Sequence, residues 1–281
     1  MDKGVQLLCS TGAFSRDPDL TSHEAILEYG SQLPVDGLEV IFYPSWYSYT
    51  GCIAADLAAA GVRFPVVHAE KSIGPLLGTA EEDNKTEALR RLEVNCRFAS
   101  QVGARLLVLH LWGFPGSDEH FDRNLGELPA CLDIADAERV RLAIETVPCS
   151  TSNPLTNVSL AVERDARCLV ALDTEFLAMH GQVDACVAPG PLWAGRKIAH
   201  VHVKDYDGRT AEKDGRRRYL HPGEGRIDFG RLFCSLRTGG FDGTVSLESS
   251  AVSVDGRVDT HKIGESLQVL RQFIEAVNIQ E

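Results

Sequence analysis

Eight short runs of apolar and β-branched residues recur along the 281-residue chain, at 5–9, 37–42, 63–68, 104–110, 140–145, 168–173, 198–203 and 243–248. From the first start at 5 to the last at 243, the seven intervals average 34 residues. An interval of that length holds a strand, a helix and two loops, and near-continuous apolar strands belong to a parallel sheet covered on both faces. Helical periodicity fills the gaps. Between 81 and 102, Leu89, Leu92, Cys96, Ala99 and Val102 recur at spacings of three and four, and Gly103 ends the pattern. From 261 to 277, Ile263, Leu267, Leu270, Phe273 and Ile274 repeat it. The pattern predicts an α/β chain folded as one (β/α)8 TIM barrel domain over residues 1–281. The competing doubly wound sheet lacks its fingerprint, because Ser10-Thr11-Gly12-Ala13-Phe14 follows the first run instead of GxGxxG.

Chemistry in such a barrel is done where the strands end, so the residues closing each run carry the functional information. His68, His110, Glu145, Asp173 and Glu248 close five of the runs, His202 lies near the end of the seventh, and Glu39 sits within the second. Each has an ordinary alternative use in satisfying loop backbone. Together they converge, and carboxylates crowded in a partly dry mouth raise one another's pKa unless a cation neutralises them. A divalent metal is the natural partner. Two Glu, one Asp and one His make a mostly oxygen set, which favours Mn²⁺, with Co²⁺, Mg²⁺ or Zn²⁺ as the other choices.

Several classes are disfavoured. The formal charge is −12, with 28 Lys and Arg against 40 Asp and Glu, so broad adhesion to nucleic acid or anionic lipid is not expected. The expected partner is a small molecule, with neither nucleic acid nor membrane. Eight scattered cysteines form no CxxC pair and read as buried thiols. No HExxH, GxSxG or GxxxxGK[ST] motif is present, which argues against zincin, α/β-hydrolase and P-loop chemistry. With neither a signal-peptide pattern nor an 18-residue apolar run, a cytoplasmic location is the expectation.

Several segments in order carry a resemblance: Leu142-Ala143-Ile144-Glu145, Leu172-Asp173-Thr174, His200-Val201-His202-Val203-Lys204-Asp205, Pro222-Gly223-Glu224-Gly225-Arg226-Ile227-Asp228-Phe229, and Gly240-Phe241-Asp242-Gly243 through Leu247-Glu248-Ser249. With these the chain resembles the xylose-isomerase-like barrel superfamily, and within it the sugar phosphate isomerase/epimerase group that includes ketose 3-epimerases and inosose dehydratases. The resemblance implies that Glu145, Asp173, His202 and Glu248 hold one divalent ion. His202 is preferred to His200 because the family's ligand precedes an acidic residue by three positions, here Asp205; His200 is then its deeper supporting neighbour. Many members carry a His three residues after the strand-six Asp, where this chain has Phe176, and Arg217-Arg218-Tyr219 replaces the Asp-Arg-His of the related endonuclease branch. His68 and His110 are therefore expected to line the substrate pocket and not to extend the site into a trinuclear centre.

The implied activity is a metal-dependent isomerase or epimerase of a keto sugar, sugar phosphate or related polyol. It would abstract a proton next to a carbonyl through a metal-stabilised enediolate, with Glu145 and Glu248 working from two faces. An inosose dehydratase-type lyase shares the first step. A non-catalytic sugar-binding barrel and an abasic-site endonuclease-like hydrolase complete the alternatives. Lys204 and Arg209 are candidate substrate contacts, and 206–224 reads as a solvated loop or a basic lid. Tyr43-Pro44-Ser45-Trp46-Tyr47 would stack on a sugar or join copies of the chain in a homo-oligomer.

Overall fold

The computed structural model describes residues 4–15, 21–187 and 190–278. Strand and helix alternate: β1 (Gln6–Ser10), α1 (Thr21–Tyr29), β2 (Gly37–Ile41), α2 (Thr50–Ala59), β3 (Val66–His68), α3 (Ile73–Leu77), α4 (Glu82–Gln101), β4 (Leu106–Leu109), α5 (Phe121–Ala137) and β5 (Arg141–Glu145). The second half continues with α6 (Pro154–Arg164), β6 (Leu169–Asp173), α7 (Thr174–Met179), α8 (Val183–Val187), α9 (Pro191–Ala194), β7 (Ile198–Val203), α10 (Phe229–Thr238), β8 (Thr244–Leu247) and α11 (Thr260–Asn278). All eight strands pair in parallel and in chain order, and β8 closes on β1. Every expected run overlaps one of them. The third is shorter than its run because Pro65 has no N–H for the ladder, so β3 begins at Val66.

Strand parity decides what each residue can do. In β5, Leu142 and Ile144 pack in the core between sheet and helices, whereas Ala143 belongs to a separate cluster inside the barrel with Leu8, Val66, Leu106, Val108 and Ala171. Glu145 shares Ala143's parity and points inward at the strand's end. The same rule separates Val170 and Leu172 from Ala171 and Asp173, Val201 and Val203 from His200 and His202, and Leu38 and Val40 from Glu39. Small inward residues, Ala143, Ala171 and Ser246, leave interior volume for the bulky polar side chains of β2 and β7.

The loops above the mouth are anchored by buried acids. Asp118 accepts hydrogen bonds from the backbone N–H of Ser150, Thr151 and Ser152 (2.6, 2.9 and 2.8 Å), fixing the loop that leaves β5 just after Glu145. Asp205 accepts from the N–H of Tyr206, Gly223, Gly225 and Ile227 at 2.7 to 3.1 Å, so the loop after β7 is wound round one carboxylate. A Cβ on Gly225 would lie 2.3 Å from Asp205 Oδ1, which explains a glycine there. Trp46 does not serve a sugar or a subunit contact. Its ring is buried 5.7 Å from Phe42 and 5.8 Å from Phe98, packed against α4.

Asp205→Ala should leave buried N–H donors without a partner and lower stability by about 1–3 kcal/mol in chemical denaturation. Gly225→Ala should destabilise in the same direction by displacing the carboxylate. If both variants unfold at the wild-type midpoint, this loop is not anchored as described.

Candidate metal centre

Four strand ends bring Glu145, Asp173, His202 and Glu248 together. Each is buried and offers one ligating atom, and the four atoms lie within 4.8 Å of one another. Glu248 follows β8 by one residue, yet its N–H still reaches the Val203 carbonyl at 3.1 Å, so it keeps the strand's direction. Asp173 is held from two sides: its N–H donates to Thr146 Oγ1 (2.8 Å), and its Oδ1 caps α7 by accepting from the N–H of Phe176 (2.9 Å). Thr174 ties β6 to β7 by donating to the Lys204 carbonyl (2.6 Å) and accepting from the Lys204 N–H (3.0 Å).

Glu145 is the hub. His202 Nδ1 lies 2.9 Å from its Oε1, while His68 Nε2 and His110 Nε2 lie 3.0 and 2.7 Å from its Oε2. Beneath it, Glu39 Oε1 sits 2.7 Å from His202 Nε2. Lys204 Nζ lies 2.6 Å from both Asp173 Oδ2 and Glu248 Oε2, over the Phe176 ring, and 4.0 Å from Glu175. Arg217 reaches in from the loop after β7 to pair with Glu175 at 2.5 Å.

The electrostatics follow from this crowding. Burial, with Glu145 and Glu248 nearby, raises the Asp173 carboxyl to about 7 in spite of Lys204. Burial opposes ionisation of Glu248 as well, but Lys204 and His202 outweigh it and bring that group down to about 2. Glu145 is likewise held ionised against burial, by His202 and His110. For His202, burial disfavours the cation, yet Glu39, Glu145 and Glu248 raise its pKa well above that of free imidazole. His110, whose burial outweighs Glu145, falls to about 4.

Five buried carboxylates (Glu39, Glu145, Asp173, Glu175 and Glu248) are met by two paired permanent cations, Lys204 and Arg217, with Lys71 acting on Glu248 from further off. The residual negative charge and the clustered oxygen-rich donors fit a divalent ion, with Glu145, Asp173, His202 and Glu248 as the residues that would hold it. Beside the group lies a cavity of about 360 Å³, lined by Tyr43, Lys71, Phe176, Lys204, Arg217 and Glu248 among others.

A family model for the xylose isomerase-like TIM barrel matches residues 27–273. The chain belongs to this family. An uncharacterized protein of Methanocaldococcus jannaschii is 25% identical over 211 residues, a match covering 68% of this chain; the chain spans just under two thirds of that curated relative's length, 66%. Among solved structures, the fold is shared with a D-tagatose 3-epimerase-like protein (19% identity, 98% of each chain, TM-score 0.70). It is also shared with D-psicose 3-epimerase from Clostridium cellulolyticum H10 (14%, 97% of this chain and 99% of that one, TM-score 0.73) and with 3-keto-D-glucoside 4-epimerase of E. coli (17%, 95% and 99%, TM-score 0.67).

In this xylose isomerase-like barrel the four residues implied by resemblance meet, and His202, not His200, faces them. Phe176 lines the cavity. His68 and His110 are not on the cavity wall; both are buried against Glu145, whose carboxylate draws them inward. Lys204 is engaged by carboxylates at the cavity's base. Arg209 is not brought to the site: its side chain is 55% exposed and pairs with Asp207 at 3.1 Å. Arg217 lies in the charged stretch 206–224 with no mark that separates it from its basic neighbours, yet it is the arginine of this loop that lines the cavity. Sequence reasoning also left Glu39 and Glu175 without a role. Inward parity in β2 marks Glu39, whereas nothing in the sequence marks Glu175.

At saturating Mn²⁺ the wild-type protein should retain about one ion per chain and melt at a higher temperature, and Asp173→Ala and His202→Ala should each lose both effects. Because Asp173 and His202 carry protons in competition with the ion, binding should release protons and tighten from roughly pH 6 to 8. Unchanged metal content in both variants would remove these ligands.

Proposed function

We propose that the chain is a divalent-metal-dependent epimerase or isomerase of a keto sugar, sugar phosphate or related polyol. The observation that carries the reading is the convergence of two ionised glutamates, Glu145 and Glu248, on one buried oxygen-rich group beside a sugar-sized cavity. The 3-epimerase and 4-epimerase names among the structural neighbours support it. Mn²⁺ is the ion we favour, and cytoplasmic action on a small carbohydrate is part of the proposal.

A bound divalent ion would polarise the substrate carbonyl and offset negative charge developing on its oxygen. The protein's own groups would move the proton. Glu145 and Glu248 are ionised at neutral pH, so each can accept a proton from the carbon next to the carbonyl. If Glu145 takes the proton, return from the other face would pass through Glu248, which must first receive a proton from the Lys204 ammonium 2.6 Å away; the proton left on Glu145 would go back to Lys204 through solvent, and the centre is inverted. Lys204, with Asp173 and Glu248 as its partners, can donate to a substrate oxygen at the cavity's base. Phe176 and Tyr43 give the cavity apolar walls for a sugar face.

A second reading has one observation in its favour. His68 Nδ1 donates to the Ala69 carbonyl at 2.8 Å, while its Nε2 faces Glu145 Oε2 beside His110 Nε2, so these three buried side chains are themselves close enough to share an ion. A second ion at His68, His110 and Glu145 would favour hydrolysis, and two retained ions per chain would bring that reading forward.

In deuterated water with a true ketose substrate, label should enter product at the carbon adjacent to the carbonyl. Glu145→Gln and Glu248→Gln should keep the fold and lose roughly 10²- to 10⁴-fold in turnover. One of the two should retain solvent exchange without forming epimer, which separates base from acid. Product free of label at full turnover would exclude proton transfer.

A further inference from the structure

We propose that Glu39, inside the barrel on β2, is the positioning residue of the metal centre: it holds the Nε2–H edge of His202 so that Nδ1 alone faces Glu145 and Glu248. The inference rests on the metal reading above. His202 is the one imidazole in the four-residue group, and its ring has two edges. Nε2 lies 2.7 Å from Glu39 Oε1; Nδ1 lies 2.9 Å from Glu145 Oε1 and 3.7 Å from Glu248 Oε2. A half-turn of the ring would put carbon where each nitrogen now sits and forfeit both contacts. The hydrogen bond to Glu39 therefore fixes tautomer and orientation together, as a carboxylate behind a ligating imidazole does.

Glu39 is itself held. It is fully buried, at the level of Val66 in the neighbouring strand, where an isolated carboxylate is unfavourable. Its second oxygen, Oε2, lies 3.4 Å from His200 Nε2, and His200 Nδ1 lies 2.6 Å from Thr244 Oγ1. Thr244, His200, Glu39 and His202 thus line up as a polar file from the first residue of β8, across β7 and β2, to the four-residue group, hydrogen-bonded at its two ends and joined in the middle by the 3.4 Å ionic contact between His200 and Glu39. Among the described residues, His200 and His202 are the ion-pair partners of this buried carboxylate. Glu39 touches neither the cavity nor the four ligating atoms' open side, so its effect must pass through His202.

The test is Mn²⁺ titration of the wild-type protein, Glu39→Leu and Glu39→Gln, with circular dichroism to check the fold. The Leu variant should bind Mn²⁺ 10- to 100-fold more weakly, by the scale typical of such supporting partners, and the Gln variant, which keeps an acceptor oxygen, should recover much of the loss. In the Co²⁺-loaded proteins, proton NMR should show one paramagnetically shifted, exchangeable imidazole N–H in wild type and Gln variant. It should be lost to solvent exchange in the Leu variant. If the Leu variant does not fold, Glu39→Asp, whose shorter side chain withdraws the carboxylate from Nε2, carries the same expectations. A folded Leu or Asp variant with wild-type affinity and an unchanged N–H signal would overturn the role of Glu39 while leaving the metal reading intact. A wild-type protein that binds neither ion would overturn the metal reading and this inference with it.

Discussion

Five carboxylates buried in the upper half of one barrel are the constraint on which the rest of this structure depends. Two unit charges at about 4 Å interact by about 4 kcal/mol even at an effective dielectric constant of 20, so such a group cannot stay ionised without cations. The protein supplies some internally. Lys204 spans Asp173 and Glu248, Arg217 covers Glu175, and the imidazole of His202 is driven towards its charged form between Glu39 and Glu145. Asp173, raised to about 7, shows where these cations fall short. A divalent ion would complete the neutralisation at the place where four potential ligating atoms converge.

The scaffold makes that convergence rigid. Inward parity at the ends of β5, β6, β7 and β8 directs the four candidate ligands, and the outward residues of the same strands bury against helices. The flanking loops are tied by single acids: Asp118 beneath the loop after β5 and Asp205 within the loop after β7. Asp205, which in the sequence served only to choose His202 over His200, is thus a structural anchor. Its distance of three residues from His202 reflects the end of β7 and the start of the loop it organises.

The barrel was legible because eight apolar runs at regular spacing have few other solutions, and the candidate ligands stood out because they lie at or next to the ends of those runs. What the sequence withheld is pairing across the barrel. Glu39 is one glutamate in an apolar strand until β7 places His202 against it. Lys204 and Arg217 are basic residues in a charged stretch, and only the folded chain shows that both are spent on buried carboxylates while Arg209 faces solvent. Trp46 lies in an aromatic run that suits a sugar, but α4 supplies Phe98 and draws the indole into the core. Such outcomes depend on contacts between residues 30 or more positions apart, which local pattern does not encode.

The central claim is that Glu145, Asp173, His202 and Glu248 form one metal centre. Anomalous X-ray diffraction from crystals grown with Mn²⁺ tests it most directly. The structure predicts a single strong peak within coordination distance of one oxygen from each of the three carboxylates and of His202 Nδ1, with Nε2 still on Glu39. A peak confined to His68, His110 and Glu145, or no peak in a fully Mn²⁺-equilibrated crystal, would contradict it.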